Sequence, residues 1–378
     1  MKFEEIPGHY DIKNTLRSMV SNRRIPHALL FSGEEGCGHL PTAVTFIQYI
    51  FCENKSAEDS CGKCRQCSRI SKLEHPDLHL VFPIALSSDL RSSDGVVSDF
   101  RKIFLTQPFI KLEDWFNELG AENKQPVIPA DESDQIIRKL SYTSYEGGYK
   151  VMLVWMPEKM NSTSANKLLK ILEEPPDDTL FFLVTSSLDQ LLTTIISRTQ
   201  LVRFSPLSDE EISRGLVGKM GVSEEKAKMV SSLCGGNYRD ALSVLSGEEG
   251  EVNYLELFQQ FMRNALRFDV FKASEWVDNI SSVGRENQKH FILYSLSILR
   301  ECLMNNYGEQ SLVKLAGAEL EFIKKFSPFV NNGNYERMVE ILNTAYYHIE
   351  RNAHGKILFM DLALKMEELI NVKNPNSR

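Results

Sequence analysis

The sequence predicts an α/β domain built on a parallel sheet, continuing into an all-helical C-terminal part. Three observations carry this. The runs HALLFS (27–32), KVMLVWM (150–156) and TLFFLVT (179–185) are apolar on both faces, as strands of a sheet covered on both sides must be. Between the last two, Ala165, Leu168, Leu169 and Leu172 fall at helical spacing before Pro175-Pro176 stops the helix, which makes a βαβ unit of roughly 35 residues. From about residue 206 onward the apolar period is helical nearly to the end.

The elements follow in order. The first strand, 27–32, runs into the glycine-rich GEEGCGH, and 42–51 then reads as a helix. Residues 85–125 carry SSDLRSSDG and the scattered aromatics Phe100, Phe104, Phe109, Trp115 and Phe116; they read as an insertion with short helices of its own. Ser205-Pro206 marks a change of character. Helical patterns follow at 207–220, 223–233 and 234–245. Three apolar stripes then fit a bundle core: Ile292, Leu296, Leu299, Leu303; Met338, Ile341, Ala345, Ile349; and Phe359, Leu362, Met366, Leu369. The tail KNPNSR is expected to fray.

Composition narrows the function. The chain has 378 residues, 43 Lys+Arg against 51 Asp+Glu and a formal charge of −8, with 42% hydrophobic residues. That is globular composition, and the length suits two or three domains. No window reaches the roughly 18 apolar residues of a membrane helix, and MKFEEIPGHYDIKN lacks a signal-peptide pattern, so a cytoplasmic protein without membrane partners is expected. The acidic balance argues against holding nucleic acid through bulk charge.

Four of the seven cysteines crowd together: Cys52, then Cys61, Cys64 and Cys67 in CGKCRQC. Thiols are reduced in a cytosolic chain, so the cluster points to a metal. A C-x-x-C pair puts two sulfurs on one ion, Gly62 gives the knuckle slack, and Cys52 completes a closed four-thiolate set, the structural type of zinc site. Lys63, Arg65 and Arg69 are expected to offset its charge. An iron–sulfur or redox use is the alternative. Cys37, Cys234 and Cys302 are read as bystanders.

Gly33, Gly36, Gly38, His39 and Leu40 lie in a turn that follows a strand and opens a helix, the setting of a phosphate loop whose glycines let N–H groups wrap phosphate. The lysine position holds His39, mostly neutral at pH 7. The hydroxyl position holds Leu40, which coordinates nothing. Where strand 150–156 should end in a metal-binding Asp and a catalytic Glu, Trp155 and Met156 stand. Three requirements of nucleoside triphosphate hydrolysis fail together. A glycine turn of no consequence is the plainer reading of the loop alone.

The segment from Ala165 to Pro176, ANKLLKILEEPP, resembles the signature helix of the bacterial DNA polymerase III clamp-loader subunits. The surrounding order is similar too: IPHALLFSG with its loop, the four cysteines, His75-Pro76-Asp77, a helix at 133–140, LVTS (183–186), Ile196-Ser197-Arg198-Thr199-Gln200, and GGNYRDAL (235–242). The likeness covers about 1–245. The J-domain tripeptide His-Pro-Asp is set aside, because its flanks here are a cysteine knuckle and a strand-like LHLVFP. His75 is not needed as a ligand when four thiolates close the site.

The resemblance implies an AAA+ domain at 1–204 with the zinc module (52–67) and the insertion, a helical lid at 205–248, and a helical collar at 249–378. The type it resembles within the family is delta prime, with a degraded nucleotide site. It implies a non-catalytic subunit of DNA polymerase III, structural Zn²⁺, no functional ATP site, and partners in a five-subunit ring with gamma/tau and delta, meeting the sliding clamp and primed DNA through the complex. Arg198 sits where the family has Ser-Arg-Cys, with Thr199 replacing the cysteine. Its implied role is an arginine finger offered to a neighbour's γ-phosphate; the bland reading is an arginine complementing the dipole of a helix at 188–196. Arg239 occupies the sensor 2 position and is expected to be vestigial. The competing functions are an active gamma/tau-like ATPase and a zinc-containing DNA-binding module.

Overall fold

The computed structural model describes residues 1–88, 90–121, 124–246, 253–267, 269–307, 317–351 and 353–372. They pack as two compact units, Met1–Ser231 with Gly235–Leu242, and Ser232–Cys234 with Ser243–Arg378.

The first unit is a five-stranded sheet in the order β2-β5-β6-β1-β7, from β1 (Ala28–Ser32), β2 (Leu78–Val81), β5 (Lys150–Trp155), β6 (Thr179–Thr185) and β7 (Gln200–Arg203). Every neighbouring pair is parallel. Alternation along the strands sorts the core. Leu29, Phe31, Val151, Leu153, Phe182 and Val184 point to one side, against α1 (Tyr10–Ser21), α2 (His39–Phe51), α3 (Arg65–Ser71) and the insertion. Leu30, Met152, Val154, Phe181 and Leu183 point to the other, against α6 (Ala130–Ser141), α7 (Ser162–Glu173) and α8 (Thr193–Ile196). With both faces covered, the strands read as continuous apolar runs.

The predicted insertion packs into the first of these two cores. β3 (Ile84–Ala85) and β4 (Pro126–Val127) pair antiparallel and tie its two ends. Between them lie α4 (Val97–Thr106) and α5 (Leu112–Glu118). Phe100 stacks on Phe82 with centroids 4.1 Å apart, and Trp115 stands edge-on to both. Trp115 Nε1 donates to Pro83 O at 2.8 Å. Helix α9 (Asp209–Met220), most of α10 (Glu224–Leu233) and the start of α11 (Tyr238–Ser246) belong to this unit. Ser208 and Glu211 form a capping box at α9, and Gly221 ends it at φ 65°.

The second unit is helical: α12 (Tyr254–Leu266), α13 (Val270–Ser282), α14 (Arg285–Asn306), α15 (Gly317–Phe326), α16 (Tyr335–Glu350) and α17 (Gly355–Ile370). Its core centres on Phe261 stacked on Trp276 at 4.6 Å, with Phe291 and Phe359 against Trp276. The Phe359 stripe is buried throughout. In the other two stripes Leu296, Leu303 and Ile341 are only half-buried, and Leu342 faces the core instead of Ile341.

Two local expectations differ. Residues 188–196 are not one helix: a 3₁₀ turn Leu188–Gln190 is separated from α8 by Leu191 and Leu192 in extended conformation. Leu191 is buried, and seating it breaks the helix. The edge strand β7 has exposed ends and only four residues, too little pattern to read from sequence. The expected lid–collar boundary at 248/249 and the tail at 373–378 lie outside the described residues. Among the described residues no helix is long and apolar enough to cross a membrane.

Candidate functional site

The glycine-rich turn joins β1 to α2. Gly36 and Gly38 have φ of 80° and 101°, a region open mainly to glycine. Side chains of the same chain crowd every glycine of the turn. A Cβ on Gly33 would fall 2.7 Å from both Cys37 Sγ and Phe204 Cβ; on Gly36, 2.0 Å from Asn237 Oδ1; on Gly38, 3.1 Å from Phe109 Cε1. His39 and Leu40, the first residues of α2, are buried. His39 Nδ1 faces Cys37 Sγ at 3.4 Å and Nε2 faces Ser186 Oγ at 3.5 Å. Burial pulls the His39 pKa down to about 3 and pushes the Cys37 thiol up to about 12. His39 is therefore a neutral imidazole at pH 7. His9 Nε2 contacts Cys37 O at 2.8 Å and closes the turn from behind.

The insertion and the start of α11 meet this turn. Glu35 takes the Leu112 N–H on its carboxylate at 2.6 Å and the Asn237 Nδ2 on its carbonyl at 3.1 Å. Desolvation pushes its carboxyl above the usual range, against the Leu112 hydrogen bond. Arg239 makes a forked pair with Asp114, Nε to Oδ2 at 3.1 Å and Nη2 to Oδ1 at 3.0 Å. Lys111 Nζ pairs with Asp240. Sequence reasoning left the insertion without a role; its residues 109–114 line this site. Only their position in the fold reveals that.

At the end of β5, Trp155 and Met156 are buried, Trp155 against Phe100 at 5.6 Å and Met156 in left-handed conformation at φ 56°. The carboxylate near this strand end is Glu158, missed in the sequence because it lies beyond the strand. It accepts from Thr185 Oγ1 at 2.8 Å and from Ser186 N at 3.0 Å. Desolvation raises its pKa.

Arg198 follows α8. Its Nη1 donates to Thr194 O at 2.9 Å and its Nη2 lies 2.5 Å from Glu173 Oε1, at the end of α7. Both side chains are partly exposed.

The four cysteines come together as expected. One sulfur from each of Cys52, Cys61, Cys64 and Cys67 lies within 4.8 Å of all the others. A tetrahedral ion with metal–sulfur bonds of about 2.3 Å needs sulfurs roughly 3.8 Å apart, so the donor set fits zinc. Gly62 sits at φ 69°, and the knuckle aims backbone N–H groups at sulfur: Cys61 N at Cys52 Sγ (3.2 Å), Cys64 N at Cys61 Sγ (3.3 Å) and Cys67 N at Cys64 Sγ (3.4 Å). The N–H groups of Lys63 and Cys64 pull the Cys61 thiol down to about 6. Two of the three expected charge partners are otherwise engaged. Arg65 and Arg69 both pair with Glu146, a carboxylate that the packing of loop 144–146 delivers. Lys55 feels the sulfurs instead, their charge opposing the burial that lowers its pKa. His75 stands outside the cluster, bonded to Gln66 Oε1 at 2.7 Å and to the Asp77 N–H at 3.1 Å. Asp77 in turn accepts from Tyr145 N at 2.7 Å and Glu146 N at 3.0 Å. The tripeptide is thus a structural tie for loop 144–146.

Comparison with known proteins agrees with this architecture. Residues 8–208 match the family model described as DNA polymerase III, delta subunit. The chain is 29% identical to the DNA polymerase III subunit delta' of Bacillus subtilis over 63% of this chain and 59% of that protein. It is 26% identical to the subunit tau of the same organism over 97% of this chain and 61% of tau. It is 23% identical to the Escherichia coli delta' over 91% of this chain and 90% of that one. The chain therefore spans about three fifths of the two Bacillus relatives. With the family model matched over more than half its length, the chain belongs to the DNA polymerase III delta-subunit family of clamp-loader AAA+ proteins.

Proposed function

We propose that this chain is a non-catalytic clamp-loader subunit of a bacterial DNA polymerase III, of the delta' type. It holds no working ATP site and offers Arg198 in trans to the nucleotide of a neighbouring motor subunit. The observation that carries the reading is a buried His39, its pKa pulled down by desolvation, in place of the loop's lysine, next to a buried Leu40 in place of its hydroxyl. A phosphate held by the loop would lack the cation that the lysine position supplies. A guanidinium suits the finger role because it presents a planar charged fork to developing phosphate charge.

On this reading the partners are gamma/tau and delta in a five-subunit ring, and sliding clamp and primed DNA are met through the complex. The domains are the AAA+ unit (1–204), the lid (205–248) and a collar (249–378) that assembles the ring. Arg239 is vestigial as a nucleotide sensor, and the four cysteines hold a structural zinc. The tau relative aligns over 97% of the chain, which keeps a motor subunit as the second reading. The deciding experiment is ATP binding and hydrolysis by the purified chain, then by a loader reconstituted with motor subunits. Hydrolysis by the lone chain would make it a motor.

A further inference from the structure

The insertion, the glycine turn and the lid form a closed triangle, and each of its three edges is a direct bond. Glu35 of the turn accepts from Leu112 N, the first residue of α5, at 2.6 Å. Asp114, two residues further on, takes the fork of Arg239 on the lid. Asn237 of the lid returns to Glu35 O at 3.1 Å, while its Oδ1 caps α11 at Asp240 N.

Apolar contact fills the middle. Phe109 is buried and meets Tyr238 edge-on at 4.8 Å, and Lys219 of α9 lies over its outer face at 5.7 Å. The two ion pairs are largely sequestered: Lys111 and Asp240 are 19% and 11% exposed, Arg239 and Asp114 11% and 20%. Charge-assisted bonds so shielded are stronger than surface pairs, whose typical worth is near zero. Every edge joins groups of this chain to one another.

We propose that residues 109–114 are a built-in clasp that holds the lid on the α/β domain without nucleotide. The lid's position is then a fixed property of the fold, and fixing it is the function of the insertion. The clasp does not depend on Arg198 acting as a finger.

The test is hydrogen exchange read by mass spectrometry on the full zinc-loaded chain, free of nucleotide. Lys111→Ala with Arg239→Ala cuts both ion pairs and leaves Asp114 to cap α5. Exchange in α9, α10 and the first turn of α11 should rise about tenfold or more, with β1, β5 and β6 unchanged. Phe109→Ala should loosen the same amides from the apolar side. Arg239→Lys keeps the charge but loses the fork, so it tests the bond with little risk to folding; it should give a smaller rise confined to the lid. Lid exchange at the wild-type rate in all three variants overturns the clasp. So does a rise shared equally by the sheet, which would mean general destabilisation.

Discussion

Glu173 Oε1 lies 2.5 Å from Arg198 Nη2, and Thr194 O accepts from Nη1 of the same guanidinium at 2.9 Å. Two acceptors from different elements thus hold a partly exposed arginine beyond the end of α8. The pair with Glu173 is a surface pair, worth about 0–1 kcal/mol, so it orients Arg198 without trapping it.

Arg198→Ala should therefore leave folding, zinc content and assembly intact. In a reconstituted loader it should lower DNA-stimulated ATP hydrolysis by about tenfold or more, since fingers contribute ~10³–10⁵ in GTPases. Arg198→Lys should rescue little, because the fork is lost. Glu173→Ala should shift stability by less than about 1 kcal/mol. An unchanged rate in a verified Arg198→Ala assembly removes the finger role.

The cysteine cluster makes a second prediction. Protein purified without chelator should carry about one zinc per chain, and Cys64→Ser should lose it, because a closed site needs every thiolate. Losing the ion should lower Tm by roughly 5–10 °C, as a loss of about 2–3 kcal/mol does in a domain of this size. Metal analysis and a thermal melt check both. Full zinc occupancy in the serine variant would mean that Cys64 is no ligand.

The parts legible in the sequence are those whose physics is local. The strand TLFFLVT is apolar on both faces, and β6 has its bounds. The cysteine spacing dictates a knuckle, and the four sulfurs converge. The illegible parts are set by contacts across long chain separations. Nothing near Asp114 in sequence announces Arg239, 125 residues away. Glu146 draws Arg65 and Arg69 away from the sulfurs because Asp77, 69 residues earlier, fixes loop 144–146. The break at Leu191 follows from a side chain that the core takes in, which helical periodicity does not foresee.

His39 predicts an acid-side slope in stability. Its folded pKa is about 3, against an unperturbed value of about 6.5. Between those values the unfolded chain binds a proton that the folded chain refuses. The contribution is therefore whole above about pH 6.5 and is lost as pH falls, by up to ~1.4 kcal/mol per pH unit. His9, also lowered by burial, adds in the same direction. Glu35 and Glu158, raised by burial, act oppositely, binding a proton more readily when folded. Urea unfolding at pH 7, 6 and 5 should show a shallower loss for His39→Leu than for wild type. Parallel curves would mean that His39 titrates normally.

Restoring the missing cation should not restore the nucleotide site. His39→Lys returns the residue type a phosphate loop needs, yet buried Leu40 still stands where a hydroxyl would hold the metal ion, and buried Trp155 and Met156 where the acids would stand. The new ammonium would replace a buried imidazole whose neighbours are Cys37 Sγ, Ser186 Oγ and the Phe204 ring. Glu158, the carboxylate on that side, is already engaged by Thr185 and Ser186. An ammonium desolvated without a carboxylate partner costs about 2 kcal/mol or more. The variant should melt lower than wild type and bind no ATP at millimolar concentration, as read by calorimetry. Binding gained from this one substitution would show that the site lacks its lysine and little else.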